Sequence, residues 1–94
     1  MTHAEEILSA VAILVIKKGK STFSRKDIRD KLGLKHTDWM AGYTAIFQAM
    51  RIDHPGRAPL VSERYAGVFR RIERAIYTLT PYGRSLIGKI IIDY

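Results

Sequence analysis

The order of helix caps and chain breakers between residues 21 and 84 constrains this chain more than any other feature. FSRKDIRDKLGL has Ser24 at an N-cap position, Asp27 at the third helical position and Gly33 as a left-handed stop. Phe23 and Ile28 flank its start as a hydrophobic staple, Ile28 and Leu32 face inward, and Leu34 follows as the apolar partner of the stop. After a short turn, TDWMAGYTAIFQAMR predicts a second helix from Thr37 or Asp38 to about Arg51. DHPGRAP cannot be regular structure, because Pro55 and Pro59 lack backbone donors and Gly56 invites a turn. GVFRRIERAIYTLT then reads as a basic hairpin, and Thr80 caps a last helix that opens on Pro81.

Ahead of this series, Thr2 and Glu5 form a capping box for a helix through AEEILSAVAILVIKK. Ile7, Leu8, Val11, Leu14 and Val15 recur at helical spacing, and Ile13 and Ile16 widen the stripe. So broad a stripe implies either a central core helix or a subunit contact. Lys17, Lys18 and Lys20 close the helix at its negative end, and Gly19 stops it. The preferred hairpin pairs Val68–Ile72 with Ala75–Thr80 around a turn at Glu73-Arg74. The alternative register pairs residues 60–65 with 75–80 around a basic tip. In the last helix Tyr82, Leu86, Ile87 and Ile90 face inward, while Ile91, Ile92 and Tyr94 carry apolar surface to other sides.

The expected fold class is therefore α+β, mainly helical with a small β-hairpin, in a single domain over residues 1–94. Sixteen Lys and Arg against nine Asp and Glu leave a net charge of +7, which points to a polyanionic partner. Cysteine is absent, which excludes disulfides and thiolate metal sites. Asparagine is absent too and Gln48 is the only glutamine, a depletion expected of a thermophile. The apolar run from Ala10 to Ile16 is too short for a membrane span and follows Glu5 and Glu6, unlike a signal peptide. A cytoplasmic, nucleoid-associated protein is expected.

No nucleophile, phosphate loop or metal set stands out, so neither an enzyme nor a cofactor is expected. Asp53-His54 lacks a third ligand, and the Glu5-Glu6 pair is assigned to helix capping. The chemistry lies in charge placement. Arg25, Lys26, Arg29, Lys31, Lys35 and His36 surround the first capped helix and the turn after it, Arg57 lies on the link, and Arg70, Arg71 and Arg74 lie on the hairpin. Between them, 100° steps put Trp39, Tyr43, Ile46, Phe47 and Met50 on one face of the second helix. The other face carries Ala41, Thr44, Ala45 and Gln48, with Arg51 at its margin. A small, uncharged outer face permits close approach to another surface. Gln48 suits adenine, and Thr44 with Ala41 or Ala45 suits a thymine methyl; the same face equally suits docking by shape.

In this order, TFSRKDIRDKLGL, the aromatic-rich helix and AIYTLTPYGRSLI resemble the winged helix-turn-helix superfamily of archaeal and bacterial DNA-binding proteins. The last segment is similar to the Y-x-L-T-x-x-G-R wing signature of MarR- and PadR-like regulators. The resemblance, which covers residues 21–90, implies a three-helix core, a β-hairpin wing, the third helix in the major groove of double-stranded DNA, and homodimers through the terminal helices. It makes Thr44 and Gln48 groove-facing and Arg70, Arg71 and Arg74 wing residues. The long proline-interrupted stretch before the hairpin departs from the pattern. Transcriptional regulation is the expected role; a sequence-independent architectural protein and a protein-interaction module are the alternatives.

Overall fold

The computed structural model describes residues 2–53, 61 and 63–93, with the side chains of all but 41, 63 and 90–93 among these. Helix α1, His3–Ala12, starts on the expected box: Glu5 N–H donates to the Thr2 hydroxyl at 3.2 Å, and Thr2 N–H donates to the Glu5 carboxylate at 3.1 Å. It continues as a π-helical turn, Ile13–Lys17, and stops at Gly19 in the left-handed region. Ile7, Leu8, Val11 and Leu14 are buried together with Ala4, Ala10 and Ala12. Of the two readings left open, α1 takes that of a central core helix. Most of its apolar stripe is used within one chain, although Ile13 is half-buried and Ile16 is 51% exposed.

Helix α2, Arg25–Leu32, carries the second capping box, with Asp27 N–H donating to Ser24 Oγ at 3.1 Å and Ser24 N–H to the Asp27 carboxylate at 2.9 Å. Gly33 adopts φ +70°, and Leu34 N–H reaches back to the Arg29 carbonyl at 3.1 Å, closing a Schellman turn. Helix α3 is continuous but not uniform: an α-helical start His36–Asp38, a π-helical stretch Trp39–Tyr43, and an α-helical finish Thr44–Ala49. It starts at His36, ahead of the expected Thr37 or Asp38, because the Asp38 carboxylate accepts from Lys35 N–H one turn earlier. Trp39, Tyr43, Phe47 and Met50 are buried and Ile46 is partly buried, as the helical spacing predicts.

Strands β1, Phe69–Glu73, and β2, Ile76–Leu79, form an antiparallel hairpin pairing Phe69 with Leu79, Arg70 with Thr78, Arg71 with Tyr77 and Glu73 with Ile76. This is close to the preferred register, but the turn is at Arg74-Ala75, not Glu73-Arg74. An irregularity between Arg71 and Glu73 inserts an extra residue on β1, and Ala75 takes φ +65° to close the loop. The longer alternative is not adopted: Glu63–Tyr65 is a 3-10 turn. Single bridges extend both edges. Phe23 and Tyr77 exchange two N–H···O bonds of 2.9 Å, and Arg51 bridges Phe69 in parallel, with Ile52 N–H donating to the Phe69 carbonyl at 2.9 Å.

The segments before α2, at the end of α3 and in the hairpin thus meet on one aromatic knot. Phe47 stacks on Phe69 at 4.9 Å and meets Tyr77 edge-on at 4.9 Å, while Phe23 meets Phe69 edge-on at 5.5 Å. Helix α4, Pro81–Asp93, begins on Thr80, whose hydroxyl accepts from Gly83 N–H at 3.0 Å and donates to the Gly67 carbonyl at 2.6 Å. Leu86 and Ile87 are buried as expected, but Tyr82 is 45% exposed, with its hydroxyl bonded to the Arg64 carbonyl. Gly83 takes the inward place instead, since a Cβ there would run into the Val68 carbonyl and Leu79. Ile90, Ile91, Ile92 and Tyr94 lie outside the described side chains. Among the described residues no helix is long and apolar enough to cross a membrane.

Candidate nucleic-acid interface

Helix α3 is held by its neighbours at three places, and these contacts decide what surrounds its outer face. At its start, Arg29 on α2 places Nη1 3.0 Å from His36 Nδ1, bringing α2 against the first turn. In the middle, Tyr43 donates its hydroxyl to Glu6 on α1 at 2.9 Å, and His3 stacks on the Tyr43 ring at 3.9 Å. Gly42 lets this happen, since a Cβ there would be 3.2 Å from the His3 ring. Burial, then the bond to Glu6, raises the Tyr43 phenol above its ordinary value.

The third contact lies just past the end of α3. Asp53 accepts from Arg51 Nε at 3.1 Å through one oxygen and from the Arg71 backbone N–H at 3.0 Å through the other. Partial burial raises its pKa, but the Arg71 N–H and the Arg51 guanidinium outweigh that and hold the carboxyl below the usual range. Arg51 lies over the Tyr77 ring, 5.2 Å from its centroid, and donates to Gln48 Oε1 at 2.6 Å. Its side chain is only 9% exposed. The hairpin is thereby tied to the C-terminal end of α3.

The sequence-derived candidates fall into four groups. Lys26, Lys35, His36, Arg70, Arg71 and Arg74 are exposed, and Arg25 and Arg29 are half-buried. Lys35 and His36 stand at the start of α3, and Arg71 stands beyond its end beside Asp53. Over fourteen residues, 36–49, the two ends are roughly 20 Å apart at helical rise. On the outer face, Thr37 and Ala45 are exposed and Thr44 and Gln48 are half-buried, so this face is open rather than sealed in the fold. Thr44 turns its hydroxyl back to the Trp39 carbonyl at 3.3 Å, across the π-helical stretch. Arg51 forms a third group, engaged internally as above. The Ala41 side chain and all of Arg57 lie outside the described residues.

Sequence reasoning misses three participants. It offers Asp53 only as half of a metal pair, although a position two residues after Arg51 is the signal for the ion pair that forms. It assigns Glu6 to capping, but Glu5 alone caps and Glu6 holds Tyr43. Met40 is 58% exposed beside Thr44, an apolar group on a face expected to be small. Among the described residues there is no cluster of three or more metal-ligating side chains. Comparison with protein-family models, curated proteins and solved structures finds no match to this chain.

Proposed function

We propose that this protein binds double-stranded DNA in the manner of a winged helix-turn-helix, with α3 in the major groove and the hairpin as a basic wing against the backbone or minor groove. One observation carries the reading: exposed Lys35 and Arg71 belong to segments at the two ends of α3, whose uncharged Thr37 and Ala45 are exposed, and contacts tie α2 and the hairpin to those ends. Lys and Arg at such positions neutralise phosphates, while small side chains let the helix approach base edges. The chain order also supports it. A helix, a single bridge at Phe23, two further helices and a hairpin is the order in which a winged helix-turn-helix is assembled. Control of transcription by occupying duplex DNA is the role this arrangement suits.

A second reading, a protein-interaction module, is favoured by exposed apolar groups: Met40 on α3, and Ile52 and Ile72 beside the wing arginines. Replacing Arg70, Arg71 and Arg74 by Ala together separates the two. On the DNA reading, affinity for a random duplex falls and the salt dependence flattens by about 0.9 for each phosphate that is no longer neutralised. Unchanged duplex affinity in the folded triple variant would remove the wing from the interface.

A further inference from the structure

Ile72 is the one residue of the hairpin strands without a cross-strand partner, because Arg71 pairs with Tyr77 and Glu73 with Ile76. A residue added to a strand in this way bends it and re-aims the side chain. Here the side chain is aliphatic and 49% exposed. Its neighbours in the chain are mostly cationic: Arg70, Arg71 and Arg74 are exposed, against the exposed carboxylate of Glu73. Ile52 is exposed too, but its N–H donates to the Phe69 carbonyl at 2.9 Å, so it lies at the foot of the strand and Ile72 lies three residues nearer the turn. The strand is braced on both sides of the bulge. Arg71 N–H donates to the Asp53 carboxylate at 3.0 Å, and Arg71 Nε reaches past Ile72 to the Glu73 carbonyl at 3.3 Å. Asp53 is held in turn by Arg51 at 3.1 Å, whose side chain is only 9% exposed.

A firmly mounted aliphatic group set among guanidinium groups fits a surface that is apolar in the middle and anionic at its margins. A base-pair step met from the minor groove is such a surface, a slot between apolar ring faces bounded by two rows of phosphates. Proteins that bend DNA insert Ile, Leu or Phe into such a step while Arg and Lys line the groove. We infer that Ile72 is a wedge that enters a base-pair step from the minor groove and kinks the duplex, with Arg70, Arg71 and Arg74 on the flanking phosphates. This rests on the DNA reading above and deepens it, committing the wing to the minor groove. Pyrimidine–purine steps such as TA unstack most easily, so these are the steps that the wedge selects.

The test measures the end-to-end distance of a short duplex by energy transfer between dyes on its two ends, with either a TA or an AA step at its centre. Wild type is expected to kink the bound TA duplex by about 20–90° and to bend the stiffer AA duplex less. Ile72→Ala should still bind, with the same salt slope because no charge is removed, but should leave the duplex straight. Ile72→Leu should restore the kink. A purely structural role for Ile72 would lower the denaturation midpoint of Ile72→Ala and leave the bend of the bound duplex unmoved. The inference is overturned if Ile72→Ala bends the duplex as wild type does. It is also overturned if bound wild type leaves the TA duplex straight, which returns Ile72 to the protein-interaction reading. Failure of the wild type to bind either duplex at low salt overturns the DNA reading, and this inference with it.

Discussion

At the scale of single residues, two glycines of α4 make opposite demands on the same substitution. Gly83 faces the hairpin, where a Cβ would meet the Val68 carbonyl and lie 3.0 Å from Leu79 Cδ2. Gly83→Ala should therefore cost about 1–3 kcal/mol, as overpacking does. Gly88 has nothing within 4 Å of an added Cβ, so Gly88→Ala should stabilise by about 0.5–1 kcal/mol through helix propensity. Urea denaturation of both variants checks the contrast; equal effects would contradict the packing described. Helical spacing alone assigns Tyr82 to the interior, because a hydrophobic pattern cannot register that the Val68 carbonyl leaves room only for glycine next door.

Asp53 makes the second residue-scale prediction. Its folded carboxyl titrates below the ordinary range, so its contribution to stability is complete above that range and is lost as pH falls through the folded value. Asp53→Asn should remove part of the acid-side slope and cost about 1 kcal/mol near neutrality, a low figure because over a third of the side chain meets water. Denaturation midpoints of both proteins from pH 3 to 7 would show it. Identical slopes would mean that the carboxylate does not hold the hairpin.

At the scale of elements, the capped helices are legible because caps are local. The Thr2–Glu5 and Ser24–Asp27 boxes and the Gly33 stop need only residues within one turn of each other, and each forms as its spacing predicts. Ser24→Ala should accordingly cost about 1 kcal/mol, read from its thermal midpoint, and Ser24→Asp should recover most of it. The π-helical stretches are not legible. Wider turns at Ile13–Lys17 and Trp39–Tyr43 depart from the 100° step used to assign faces, and the second of them packs on a neighbouring helix. At α3 that packing is against α1, where Gly42 admits the His3 ring and Tyr43 reaches Glu6. The hairpin turn is displaced by one residue for a related reason. The extra residue on β1 and the positive φ of Ala75 have no Gly or Asn to announce them.

At the scale of the whole molecule, the helix–helix–hairpin order and the charge imbalance can be read from the chain, but the ties among the elements cannot. The links from Arg29 to His36, from Asp53 to the Arg71 backbone and from Tyr43 to Glu6 span separations that no local pattern encodes. They bring α2 and the basic hairpin to the two ends of α3. The breadth of the α1 stripe, which also suited a subunit contact, is accounted for by burial within one chain. Ile16 is the large apolar side chain that this stretch leaves exposed.

Salt dependence shows whether this protein meets duplex DNA through its phosphates. Binding of a fluorescent random duplex, titrated at several salt concentrations, measures how many phosphates the bracketing cations neutralise. About six contacts give a slope of log affinity on log salt near −5. A slope near zero, or no binding at the lowest salt, would mean that these cations do not meet duplex phosphates.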